Sequence, residues 1–381
     1  MYVRTRKIFF LRTVLLVCVL VSQSFIGNVW GQPTTGLAKK PLVLIDSYHV
    51  HNFLQQGLKP GIYNYHQYSA FRRAVDLLRN RGLEIQELLV GPYSAEDFAE
   101  ASLLIVNLPS MDRPPWLVDE IHVLEEFVNR GGGILFITDH SNCYYHQYQL
   151  WPLFDRFGII PTFETVCERD PQHLFATGNG WILIDRFAPH PITQSLRSIG
   201  IQTGGRVLSE QASDLLAATT ENAWADMGSV PLYGEGDIGL YGDFLPSAAE
   251  DSGVQHVLLA KSIGKGRVAV FSDQNAFGDA GIAFGDNWKL WLQLCTWTGR
   301  LHEPSESPSA TETNRIEKWN AVCYDPIVIS DLAESKTGTA AKLANLTNRF
   351  TWSGTDDWQL QNLWVWINRF CWCSSNDTYQ R

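Results

Sequence analysis

Short apolar runs alternate with amphipathic stretches along residues 41–300, and this alternation limits the fold more than any other feature. Pro41-Leu-Val-Leu-Ile-Asp46 is a run of the kind found in strands covered on both faces. A helix is predicted around 66–81, where Phe71, Ala74, Val75 and Leu78 share one face and Gly82 stops the chain. Leu83 to Val90 reads as a second strand, Ser94-Ala-Glu-Asp97 as a helix start, and Leu103-Leu-Ile-Val-Asn107 as a third strand. Pro114-Pro115 opens a helix carrying Ile121, Leu124, Phe127 and Val128, Gly131-Gly-Gly133 ends it, and Ile134 to Asp139 is a fourth strand. A β-α-β-α order of this type predicts an α/β protein with a mostly parallel sheet and helices on both faces.

Residues 160–255 are less regular and are expected to form short strands and long loops that elaborate one end of the sheet. Order returns at His256 to Lys261, the turn Gly264-Lys-Gly266, and the strand Arg267 to Asp273. A helix from about Asp286 places Trp288, Trp291, Leu292 and Cys295 on one face. The α/β domain is therefore expected to span 40–300. Residues 301–315 are a linker by composition. Residues 316–381 form a Trp-rich extension with six of the fourteen Trp. There Val328-Ile-Ser-Asp331 echoes Val270-Phe-Ser-Asp273, and Asn362, Trp366, Ile367, Asn368 and Trp372 echo Asn287, Trp291, Leu292, Gln293 and Trp297. A partial repeat of the terminal strand–helix unit is one explanation; chance similarity of two apolar pieces is the other.

The first 31 residues read as a signal peptide. Arg4, Arg6, Lys7 and Arg12 precede an apolar run from Thr13 to Ile26, and cleavage is expected near Gly31. Ser22, Gln23 and Ser24 leave that run short of the roughly 20 apolar residues of a stable span. The chain is thus expected to be exported, periplasmic or extracellular, and not integral to a membrane after cleavage. Losing residues 1–31 removes four basic and no acidic side chains, taking the formal charge from -10 to -14. So acidic a chain disfavours nucleic acid as a partner, and none is expected. Six cysteines remain: Cys143, Cys167, Cys295, Cys323, Cys371 and Cys373. Export permits disulfides among them, but a chain this long does not need them.

Taken in order, several segments resemble the class I glutamine amidotransferase-like superfamily. They are Leu44-Ile-Asp46 with His49, Asn129-Arg-Gly-Gly-Gly133, Asp139-His140-Ser141, His190-Pro-Ile-Thr193, Leu216-Ala-Ala-Thr-Thr220, Gly264-Lys-Gly-Arg-Val268 and Asp286-Asn287. The branch resembled contains ThuA-like proteins, gliding-motility ABC-transporter accessory domains and intraflagellar-transport-like domains. The resemblance implies a flavodoxin-like doubly wound sheet but no single activity.

In such a sheet ligands bind beyond the carboxyl ends of the strands. Asp46, Asn107, Asp139, His140, Asp273 and Asn275 fall there and are the candidate ligand-binding residues. Strand-end Asp and Asn also cap helices and bond turn backbones, the plainer role for any one of them. Working amidotransferases carry a nucleophilic Cys on a glycine-flanked strand-to-helix turn. Here that turn is Thr138-Asp139-His140-Ser141, and Cys143 comes about three residues late. A functional glutamine amidotransferase is not expected, and His140, Asp139 and Cys143 are what remains as catalytic candidates. His49-x-His51 with Asp46 is a candidate metal site: two His at period two point to one side of an extended chain, and a carboxylate completes a zinc-like set. No cofactor is firmly implied beyond such a divalent metal. The reading is an exported, non-catalytic binding or scaffold domain for a small molecule, carbohydrate or protein. The alternative is a metal-dependent hydrolase using the Asp/His cluster at the same sheet edge.

Overall fold

The computed structural model describes residues 40–50, 71–175, 178–228, 241–279 and 281–301. The chain divides at Lys40/Pro41, and all that follows concerns the unit beginning at Pro41. The signal segment, the linker, the Trp-rich tail with its three cysteines, and His51 lie outside the described residues.

Five strands run parallel: β1 (Leu42–Asp46), β2 (Glu84–Leu88), β3 (Ala101–Asn107), β4 (Gly133–Ile137) and β12 (Gly266–Phe271). Their order is β2-β1-β3-β4-β12, the flavodoxin-like doubly wound arrangement. Three antiparallel strands, β11 (His256–Ile263), β9 (Leu215–Ala218) and β7 (Arg186–Phe187), extend it to eight. The hairpin turn at Gly264-Lys-Gly266 reverses β11 into β12, and the connection stays short because Gly264 adopts φ 56. Two small antiparallel pairs stand apart. They are β5 (Glu164–Cys167) with β10 (Trp224–Met227), and β6 (Trp181–Ile184) with β8 (Ile199–Gln202). They are the irregular middle of the sequence.

Strand side chains alternate between faces, and both faces are buried. Val43, Ile45, Leu103, Ile105, Leu135, Ile137, Ala269 and Phe271 form one core with α1 (Arg72–Asn80) and α4 (Asn287–Thr298). Leu44, Leu104, Val106, Ile134, Phe136, Val268 and Val270 form a second with α2 (Val118–Arg130) and α3 (His146–Phe157). The predicted helices flank the sheet on both sides. Gly131 ends α2 in the left-handed region, at φ 119. At Gly133 a Cβ would stand 2.0 Å from the Thr298 carbonyl oxygen, so β4 can enter against α4 only as glycine.

One local expectation fails. Ser94-Ala-Glu-Asp97 starts no helix. Asp97 Oδ2 accepts from Ser94 N at 2.7 Å and from Ser94 Oγ at 2.9 Å, closing a turn, and β3 begins only four residues later. The aromatic stretch around Tyr148 opens α3, whose Leu150, Leu153, Phe154 and Phe157 are buried at helical spacing. No described helix is long and apolar enough to cross a membrane.

Candidate functional site

Strand parity separates the strand-end residues into two groups. Asp46 shares parity with Leu44, on the α2/α3 side. Asn107 shares parity with Ile105, on the α1/α4 side, and pairs in register with Ile137 of the same core. Asp273 bonds the end of β8, whose Ile199 and Ile201 belong to that core too.

The first group is a clamp. Asp46 Oδ1 accepts from Tyr48 N at 3.0 Å, His49 N at 3.1 Å and the Tyr93 hydroxyl at 2.5 Å, and it faces His49 Nδ1 at 3.2 Å. His49 Nε2 lies 3.5 Å from Glu120 Oε1, and its ring stacks on Trp116 with centroids 3.5 Å apart. Glu120 accepts from Tyr93 N at 2.8 Å and from Leu117 N at 2.9 Å, which caps α2. Burial first, and then Asp46, hold the Tyr93 phenol far above its ordinary range, so it donates. Asp46, His49 and Glu120 are fully buried. Both ring nitrogens of His49 face carboxylates. A metal at Asp46 and His49 would therefore have to displace contacts that join β1, the loop before β3 and the start of α2.

The turn after β4 carries the other acids and bases. Three of its residues sit in the left-handed region: Ser141 at φ 43, Tyr144 at φ 54 and Tyr145 at φ 59. For such residues this costs of order 1–3 kcal/mol each, a strain that clusters at ligand and active sites. Asp139, His140 and Cys143 are buried, and one ligand atom from each lies within 4.8 Å of the others. Asp139 Oδ1 accepts from His140 N at 2.7 Å, and His140 Nδ1 contacts Ser141 Oγ at 2.9 Å. The His140 ring stacks on Tyr241 at 3.9 Å.

His146 lies beside Cys143 but is committed elsewhere. Its Nδ1 lies 2.8 Å from the Cys143 carbonyl oxygen, which can only accept, so Nδ1 carries the proton. Its Nε2 accordingly accepts from Asp139 N at 3.4 Å and the Gln147 side-chain amide at 3.1 Å. Burial pushes the imidazole down to about 4, so it is neutral. The Cys143 thiol, 3.9 Å from the protonated Nδ1, meets no base there. Burial, then Asp139 and Asp273, raise that thiol well above its ordinary value. His146 thus offers Cys143 no base, and burial favours the protonated thiol.

Asp273 and Asn275 tie loops together. Asp273 accepts from Gln202 N at 2.6 Å and Asn275 N at 2.8 Å, and Asn275 Nδ2 donates to Gln202 O at 3.3 Å. Asn107 is different. It is 4% exposed, yet neither its Oδ1 nor its Nδ2 has a hydrogen-bond partner. It ends β3 at the switch between β1 and β3, and Leu108 turns the chain away at φ 50. Tyr93, Trp116, Glu120 and Tyr241 were not foreseen. Glu120, the third residue of α2 and shortly after two prolines, carried a capping signal; the others carried none.

No family profile matches the sequence, and no curated protein does. Solved structures do resemble it. The N-terminal domain of mmIFT52 matches at 15% identity and TM-score 0.48, over 68% of this chain and 97% of that one. A ThuA-like protein from Bacteroides uniformis matches at 17% and 0.39, over 70% and 95%. Another from Parabacteroides merdae matches at 13% and 0.36, over 71% and 94%.

Proposed function

We propose that the chain is an exported, non-catalytic amidotransferase-like module that binds a small uncharged polar ligand above the ends of β3, β4 and β12. One observation carries this reading: the unpartnered side-chain amide of Asn107, buried at the switch point of a doubly wound sheet. A buried polar group left unsatisfied costs about 1–3 kcal/mol, and such a cost is kept where a ligand or ordered water offsets it. A carboxamide presents a donor and an acceptor side by side, which complements a hydroxyl pair of a sugar or another carboxamide. The carboxyl groups of Asp139 and Asp273, which both act on Cys143 at the same sheet edge, disfavour an anion there. The neutral His146 and the high thiol value of Cys143 argue against acyl-transfer chemistry.

The test is a thermal-shift and calorimetric comparison of the chain with Asn107→Ala, using glucose, galactose, N-acetylglucosamine, asparagine and glutamine. A probe at a hundredfold excess over its Kd stabilises the native state by about 2.7 kcal/mol. At least one probe should do this for the parent and not for Asn107→Ala. Equal binding by both removes Asn107 from the site. Ammonia released from glutamine and lost in Cys143→Ser overturns the non-catalytic reading. A metal-dependent hydrolase at the same edge is the second reading, favoured by the Asp139–His140–Cys143 grouping.

A further inference from the structure

We propose that Asp139, His140 and Cys143 bind a single thiophilic divalent cation, with zinc the natural occupant. The site is distinct from the Asn107 amide and stands whether the domain only binds its ligand or also hydrolyses it. Three donors of different type come from one five-residue turn and converge within 4.8 Å. Zinc bonds of about 2.0–2.3 Å place tetrahedral ligand atoms roughly 3.3–3.7 Å apart. The donors thus need to close by no more than about 1.1–1.5 Å, a shift that side-chain torsions can supply.

The backbone explains why the donors meet. Ser141 at φ 43 folds the chain after His140, and the Cys143 amide donates back to the His140 carbonyl at 3.3 Å. The imidazole is already oriented, with Ser141 Oγ on Nδ1 and Tyr241 stacked on its face. Contacts of that kind around a ligating histidine set its ring plane and tautomer. Asp139 is oriented too, through the bond from His140 N. One sulfur, one imidazole nitrogen and one carboxylate suit zinc or cobalt(II) and disfavour magnesium or calcium, which take all-oxygen sets. Binding releases the Cys143 proton to solvent. Thiolate plus carboxylate then balance the 2+ charge, so the buried site carries no net charge. Three protein donors leave a fourth position for water or a ligand atom.

The experiment uses the full chain purified without a histidine tag, loaded with zinc or cobalt(II) and freed of excess metal. We expect about one equivalent of tightly held metal and, for cobalt, a thiolate-to-cobalt absorption in the near ultraviolet. Cys143→Ala should abolish both. Cys167→Ala and Cys295→Ala remove buried thiols elsewhere and should leave both intact. If Cys143→Ala does not fold, Asp139→Asn keeps the acceptor for His140 N and removes the charge; it should weaken zinc binding at least about tenfold. Asn107→Ala should leave metal binding unchanged, so this proposal and the ligand reading can fail separately. Metal far below one equivalent in the parent overturns the proposal. So does absorption that survives Cys143→Ala, or zinc affinity untouched by Asp139→Asn.

Discussion

Replacing Asn107 by leucine is the sharpest probe of the sheet edge, because its sign depends on what the amide does. Asn107 is 4% exposed, and both its amide atoms lack partners. In the ligand-free chain Asn107→Leu removes two desolvated polar groups of similar volume, each costing about 1–3 kcal/mol. It also adds apolar contact to a core containing Ile105 and Ile137. Against this stands the misfit of a tetrahedral Cγ in a planar amide's place, which for a near-isosteric swap costs under about 1.5 kcal/mol. The balance is a gain of about 1–3 kcal/mol, and at about 2–4 °C per kcal/mol for a domain this size the Tm should rise by several degrees. Urea unfolding should show a higher midpoint with an unchanged slope. The same variant should lose every probe that the parent binds. A fall in stability by about a kcal/mol or more would mean that Asn107 is satisfied in the free protein. The ligand reading would then lose its main support.

Further outcomes follow from the buried titrating groups. The carboxyl of Asp279, which accepts from Arg73 N at the start of α1, is pushed up to about 6 by burial. The native state thus keeps a proton that the unfolded chain releases near 3.8. Stability from this group therefore falls as pH rises from about 4 to about 6, by up to about 3 kcal/mol. Asp279→Asn should remove that slope and exceed the parent in stability above about pH 6, as read by urea midpoints across the range. A parent–variant difference independent of pH contradicts the shift. His146 runs the other way: pushed down to about 4, it stays neutral while the unfolded chain protonates near 6.5. Its contribution rises with pH between those values. Ring nitrogen chemical shifts should titrate near 4, and a midpoint near 6.5 would refute the burial of the imidazole.

Along the chain, the alternation of apolar runs with amphipathic stretches was enough to determine the α/β class, the parallel strands and their flanking helices. Those patterns report local periodicity, and burial on both faces makes a strand apolar throughout. The glycines at 131–133 and 264–266 marked the stops and turns for the same local reason. The strand-end acids were legible as a set because the ends of parallel strands must gather at one edge. Which of them act together was not legible. Side-chain parity at each strand end depends on register, and register is a pairing between residues distant in sequence. So Asp46 and His49 turn to the α2 side and are taken up by Tyr93, Trp116 and Glu120, residues 44 to 74 positions further on. Asn107 turns to the other face, where its amide finds no hydrogen-bond partner among the described residues. Cys143 looked only a few residues from a nucleophile's place. What decides its chemistry is the burial of His146 and the carbonyl that claims its Nδ1 proton. Both are properties of packing that no spacing of residue types records.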